Sequence, residues 1–183
     1  MLTTKLVTTE QELHQIAALS KANLSISLSA ETKAKEGFVS WSYDFDILRA
    51  IHAIVPSVIV KDNDVLAAYA LTLTTACSSI YPNMAASEAF LSPIPYNGRP
   101  LGEQRYYLMG QICIAESYRG QGLVGMLYEY HRQHFRPAFD FIVTEISTSN
   151  PRSLKAHQKV GFRIIKTHRD DQGEWDTVLW DWS

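Results

Sequence analysis

Arg119-Gly120-Gln121-Gly122-Leu123-Val124-Gly125 separates an apolar, strand-like run, Tyr106 to Ala115, from a helix-like run, Leu123 to Phe135. A glycine-rich turn that opens a helix binds anions. The first N–H groups of a helix lack intrahelical partners, and the helix dipole places partial positive charge there. Glycine lets a phosphate approach the backbone closely. Arg119 adds a fixed cation whose donors suit phosphate. A phosphate-bearing ligand is therefore the first expectation.

Gly120, Gly122 and Gly125 also fit G-x-G-x-x-G, with Glu145 at a plausible distance for a ribose-binding acid. A dinucleotide fold fits less well. Ala115 to Arg119 separates the apolar run from the first glycine, where a Rossmann turn is tight. Too little chain follows Glu145 to complete a doubly wound sheet.

The same stretch reads as R-x-x-G-x-G/A after a strand ending Ile112-Cys113-Ile114. A second block, Asn150-Pro151-Arg152-Ser153-Leu154-Lys155-Ala156-His157-Gln158-Lys159-Val160-Gly161-Phe162, reads as N-x-x-[SA]-x-x-x-Y-x-K-x-G-F with His157 at the tyrosine position. Together, from roughly Ser57 onward, these blocks resemble the GNAT N-acetyltransferase superfamily. The residues before Ser57 carry no such match. Val124 stands where the last small residue of the first motif is expected, followed by Gly125.

The resemblance implies an α/β (α+β mixed-sheet) GNAT-like fold and acetyl transfer from acetyl-CoA to a primary amine in a direct ternary complex. Arg119, Gly120, Gln121, Gly122, Leu123, Val124 and Gly125 would cradle pyrophosphate. The backbone of Ile112, Cys113 and Ile114 would meet pantetheine and the acetyl carbonyl, with Asn150, Ser153 and His157 on the pantetheine side. His157 would stand as proton donor to the sulfur. The alternative is a GNAT-fold CoA-binding or regulatory module without efficient catalysis.

The chemistry asks for a base to take the amine proton, for stabilisation of the carbonyl oxygen and for protonation of the thiolate. Glu145, in the strand leading to the second block, is the candidate base, with a purely structural hydrogen-bonding role equally open. Glu103 and Glu116 are lesser candidates. Cys113 reads as a buried thiol rather than a nucleophile. His14, His131 and His134 read as packing or solvated residues. Asn150, Ser153 and His157 share a helix face, and Lys159 is placed opposite. Trp41, Tyr43, Asp44, Phe45 and Asp46 offer an aromatic-acidic patch suited to a cationic amine, or simply a capped helix start.

At 183 residues with 46% apolar and 20% charged residues, the chain reads as one soluble domain, 1–183. Residues 1–56 would supply acceptor-side helices and 57–183 the cofactor-binding core. A net charge of −2 points away from nucleic acid and membrane surfaces. Two cysteines give neither a metal site nor a disulfide framework. No metal, a cytoplasmic location, a small-molecule or peptide amine acceptor and a monomer or homodimer are the remaining expectations.

Local signals predict a first strand over 5–8, then a helix from Thr9 with Glu12 at capping-box spacing. A short helix over 29–35 and one capped by Asp44 and stopped by Pro56 follow. Two strands flank Asp62-Asn63-Asp64. Residues 76–105, rich in proline, read as a long loop with one helical turn near Ala85 to Phe90. The remainder reads strand, helix, strand, helix and a terminal hairpin.

Overall fold

A computed structural model describes every residue except 28, 30, 32 and 34–36. The chain opens with β1 (Leu2–Leu6), and helix α1 (Glu10–Ala22) follows. Thr9 accepts from the Glu12 amide while the Glu12 side chain reaches back to the cap, a complete capping box. The helix expected over 29–35 falls largely outside the described residues. Helix α2 (Phe45–Ile54) starts at Asp44, whose carboxylate accepts from the Ile47 amide at 2.9 Å. Strands β2 (Val58–Asp62) and β3 (Val65–Leu73) form the expected hairpin, with Asn63 at φ 51° in its turn.

Residues 76–105 are not a loop. A 3₁₀ turn (Thr75–Ser79) leads into helix α3 (Pro82–Leu91), and a small hairpin joins β4 (Pro95–Tyr96) to β5 (Arg99–Pro100). The prolines that suggested a loop sit where folded elements accept them. Pro82 opens its helix, where a missing N–H costs nothing. Asn97 and Gly98 both take positive φ, as a tight hairpin turn requires. Met84 and Leu91 anchor α3 in the core.

Then come β6 (Tyr106–Ile114), α4 (Leu123–Phe135), β7 (Phe141–Ser147), α5 (Pro151–Val160), β8 (Arg163–Asp170) and β9 (Gly173–Asp181). Among the described residues, seven strands form one mixed sheet in the order β1-β2-β3-β6-β7-β9-β8. Val58, Ile59 and Val60 are all buried, as is the run Leu66 to Leu73, so the sheet centre is covered on both faces. Helices α1 and α2 pack together, with α1 against β3. Helices α4 and α5 pack together, with α4 against β1, β2 and β3 and α5 against β7.

Among the described strands the one parallel pair, β6 and β7, positions the site. Tyr106, Tyr107 and Leu108 pair with Phe141, Ile142 and Val143, and the pairing stops there. On its other edge β6 carries a bulge. Thr72 pairs with Met109 and Ala70 with Ile112, which leaves Gly110 and Gln111 opposite Leu71. A bulge bends its strand, and β6 turns away from β7. A Cβ on Gly110 would lie 2.5 Å from the Leu73 side chain and 3.1 Å from the Tyr43 hydroxyl, so a larger residue at the bend would push Leu73 aside. Thr144 Oγ1 donates to the Met109 carbonyl at 2.8 Å where the ladder ends.

Candidate active site

Beyond that point the facing edges of β6 and β7 lie open. The Ala115 amide donates to Ala67 O on β3. By two-residue alternation the Cys113 amide also faces β3, while the Ile112 and Ile114 backbone faces the opening. Of the three residues expected to act through backbone, Ile112 therefore faces the opening with both groups and Ile114 with its N–H, its carbonyl accepting from Arg119 at 3.3 Å.

Two cavities meet at the opening. One, of about 730 Å³, runs between α4 and α5 and takes in Ile112, Ile114, Gly122, Val124 and Gly125. The other, of about 630 Å³, lies beyond the parted strands. Phe38, Val39, Ile112, Asn150, Ser153 and His157 border both. Two buried amides hold the 38–41 segment across the junction. Asn150 caps α5 through Oδ1, accepting from the Ser153 amide at 3.2 Å, and its Nδ2 donates to Phe38 O at 3.0 Å. Gln111 donates to Trp41 O at 2.7 Å, and its Oε1 accepts from Ser20 and from the Tyr69 hydroxyl.

The glycine turn lines the first cavity. Gly120 and Gly122 take φ of 77° and 81°, and Gly122 is the N-cap of α4 with no side-chain cap bond. The Leu123, Val124 and Gly125 amides thus lack both intrahelical and capping partners. A Cβ at Gly120, Gly122 or Gly125 would meet nothing within 4 Å. Gly125 sits inside a helix, where glycine costs roughly 1 kcal/mol relative to alanine, and no neighbour demands its small size. The turn thus presents bare backbone to open space, the form a diphosphate cradle needs. Arg119 is tied in place, donating to Ile114 O at 3.3 Å and to Asn23 Oδ1 at 2.8 Å. Gln121 bonds back to Ser117 O and faces solvent. Arg152, Lys155 and Lys159 of α5 also border this cavity. Lys159, placed on the far face by helical spacing, belongs with the site; an open-ended cleft reaches more of the helix than one stripe.

The acetyltransferase (GNAT) family matches over residues 27–162. The chain belongs to that family. Solved structures agree in fold. The ribosomal-protein-S18-alanine N-acetyltransferase from Escherichia coli superposes with a TM-score of 0.65 at 13% identity, covering 100% of this chain and 95% of that one. The NatC complex bound to Gag peptide and CoA gives 0.67 at 15%, with 100% and 99% covered. A putative acetyltransferase from Salmonella typhimurium, solved with its cofactor acetyl-CoA, gives 0.64 at 13%, with 100% and 94% covered. No curated protein matches the sequence.

Within this GNAT fold the second cavity collects the remaining candidates. Glu145 lines it, with Trp41, Tyr43, Tyr81, Phe90 and Trp175 on its walls. Glu145 Oε2 accepts from Ser87 at 3.3 Å, and Oε1 lies 3.4 Å from His168 Nε2. Burial holds the Glu145 carboxyl above the usual carboxylate range, Ser87 opposing and Asp170 reinforcing the shift. Sequence reading missed His168, because it sits in an ordinary-looking hairpin strand two places from β7 in the sheet. The aromatic-acidic patch divides. Trp41 and Tyr43 face the cavity, Asp44 caps α2, Phe45 stacks on His14 at 3.9 Å and Asp46 pairs with Arg49 at 3.6 Å. Glu103 and Glu116 border neither cavity. Burial pushes the Cys113 thiol up to about 12, which leaves it inert as a nucleophile. Among the described residues no three His, Cys, Asp or Glu side chains gather as metal ligands, and no helix is long and apolar enough to cross a membrane.

His157 is buried with both ring nitrogens engaged. Nδ1 lies 2.8 Å from Ser153 O, which can only accept, so Nδ1 carries the hydrogen. Nε2 then accepts from the Tyr128 hydroxyl at 2.6 Å. The neutral ring has no N–H left for a sulfur. Burial lowers its pKa to about 4. His131, fully buried beside Tyr107 at 2.9 Å, falls to about 3 for the same reason.

These two histidines make acid stability predictable. Unfolded imidazoles titrate near 6.5. Between that value and about pH 4, the unfolded chain takes up protons that the folded chain refuses. The unfolding free energy should fall with pH in this window, by about 1.4 kcal/mol per pH unit for each histidine. Glu145, with its raised pKa, opposes this in the acidic part. Urea denaturation across the window checks it, and His131→Phe should reduce the slope by about 1.4 kcal/mol per pH unit. A flat profile would contradict the buried neutral rings.

Proposed function

We propose that the protein is an N-acetyltransferase that moves the acetyl group of acetyl-CoA to a primary amine by direct attack within a ternary complex. The observation that carries this reading is the meeting of two cavities at the parted edge of β6. One has an uncapped helix start fit for a diphosphate. The other has a carboxylate fit to accept an amine proton.

Bound acetyl-CoA supplies an activated acyl group as its thioester. The chain's own residues do the rest. The Leu123, Val124 and Gly125 amides hold phosphate oxygens, and Arg152, Lys155 and Lys159 add positive charge to the same cleft. The Ile112 backbone meets the acyl end. Glu145 takes the proton from the acceptor ammonium, directly or through one water, and its raised pKa suits that task near neutral pH. His157 is a positioning residue here. It fixes the start of α5 through Ser153 and ties it to α4 through Tyr128.

Acetyl-CoA should raise the melting temperature, since ligand at 100 times its dissociation constant adds about 2.7 kcal/mol. Acetyl-CoA with a panel of primary amines should release free thiol. No thermal shift at millimolar acetyl-CoA would sink the cofactor assignment. A CoA-binding or regulatory module without efficient catalysis is the second reading, favoured by the absence of a free N–H on His157. A thermal shift without thiol release from any amine would favour it.

A further inference from the structure

Glu145 and His168 reach each other across β9 and close one wall of the acceptor-side cavity. His168 is well shielded, its ring centroid 4.1 Å from that of Phe90. Its Nδ1 is buried and without a partner among the described residues, so Nε2, 3.4 Å from Glu145 Oε1, is its working atom. Ser87 occupies the other carboxylate oxygen. Asp170 and Lys166 act on the pair from β8, with Asp171 and Arg169 at the cavity rim. From α3 and β9 it meets the neutral Ser87, Phe90 and Trp175.

The charge at this wall is incomplete. Burial lowers the affinity of His168 for a proton, Asp170 raises it and Lys166 lowers it. Near neutral pH a mostly uncharged imidazole thus faces a carboxylate that burial already disfavours as an anion. One further cation beside Glu145 would offset that cost. The remaining wall is aromatic; the Phe90 face already takes Lys166 Nζ, 4.7 Å from its centroid, and the faces of Trp41, Tyr43 and Tyr81 are left to attract an ammonium group. A ligand carboxylate would fare badly. Arg169, the one arginine bordering the cavity, pairs with Glu174 at 3.3 Å on the exposed side, and Asp170 and Asp171 stand beside it.

Resting on the proposed acetyl transfer, we propose that Glu145 and His168 form the receptor for the acceptor's ammonium group, with His168 as positioning residue, and that the acceptor is an amine cation without a carboxylate. His168 Nε2, 3.4 Å from Oε1, faces and so positions the Glu145 carboxylate. An N–H bond of the ammonium breaks and an O–H bond forms on Glu145. The freed nitrogen lone pair forms a C–N bond to the acyl carbon, and the thioester C–S bond breaks. The second nitrogen proton passes through solvent water to the departing thiolate, which leaves as the free thiol.

Three measurements test this. The first needs no turnover. The His168 ring signals, assigned by their loss in His168→Gln, are titrated by NMR in wild-type and Glu145→Gln protein. Removing the facing carboxylate should lower the His168 midpoint. An unchanged midpoint would overturn the pairing. The second compares tryptamine with tryptophan, which differ by the carboxylate alone. Tryptamine should perturb the His168 signals at concentrations at least tenfold lower, and should be the better substrate by kcat/KM. Equal or tighter binding of tryptophan would overturn the acceptor class. His168→Gln should displace the acid limb of the pH profile of kcat/KM while the dissociation constant of acetyl-CoA stays fixed. An unmoved limb would reduce His168 to packing. If no amine is acetylated, the transferase reading fails, while the NMR titrations still decide whether the pair binds ammonium.

Discussion

Glu145→Gln should lower kcat for amine acetylation by about 10²- to 10⁴-fold, the usual cost of removing a general base. The substitution keeps the side chain's shape and its bond from Ser87, so folding should survive. It removes the group that receives the ammonium proton. Acetyl-CoA should bind as before, since the glycine turn and the Ile112 backbone belong to other elements. Burial raises the Glu145 pKa, so activity should fall as pH drops through that raised value and the carboxyl becomes protonated. A free amine also becomes commoner as pH rises. Part of the lost rate should therefore return above pH 9, where deprotonated acceptor arrives unaided. Stopped-assay thiol release across pH measures both effects. A variant with wild-type kcat at neutral pH would remove Glu145 from the chemistry and leave proton transfer to water.

What was legible in the sequence was local. Thr9 with Glu12, Asp44, and Asn150 with Pro151 mark helix starts because a cap and its amide lie within one turn. The glycine turn was legible for the same reason. The 76–105 region misled because proline breaks the interior of helices yet favours their first turn, and composition alone does not tell the two apart.

What was not legible depended on partners far apart in the chain. The second block places His157 on an α5 face that borders both cavities, but Tyr128 lies 29 residues earlier and takes its Nε2. That contact decides whether the ring can hand a proton to a sulfur. Glu145 and His168 meet because β9 enters the sheet between their strands, an order that no local pattern reveals. The bulge at Gly110 and Gln111 was equally hidden. The side chains that crowd Gly110, Leu73 and Tyr43, lie on other parts of the chain.

Gly122→Glu should abolish acetyl-CoA binding while the fold persists. At φ 81° any side chain is strained, by roughly 1–2 kcal/mol. That is a modest share of the 5–15 kcal/mol typical of a domain. No steric clash adds to it, because a Cβ there meets nothing within 4 Å. The new carboxylate stands at the start of α4, where the helix dipole and the uncapped Leu123, Val124 and Gly125 amides favour a negative charge. The variant would fill the cradle with its own anion, and the same charge would repel phosphate. Gly122→Ala separates the two causes, since it carries the strain without the charge. Alanine should retain most of the thermal shift with acetyl-CoA, and glutamate should show none. Isothermal titration would confirm the loss. If the glutamate variant bound acetyl-CoA with unchanged affinity, the diphosphate would have to lie elsewhere in the cleft, with the basic residues of α5 as its remaining anchor.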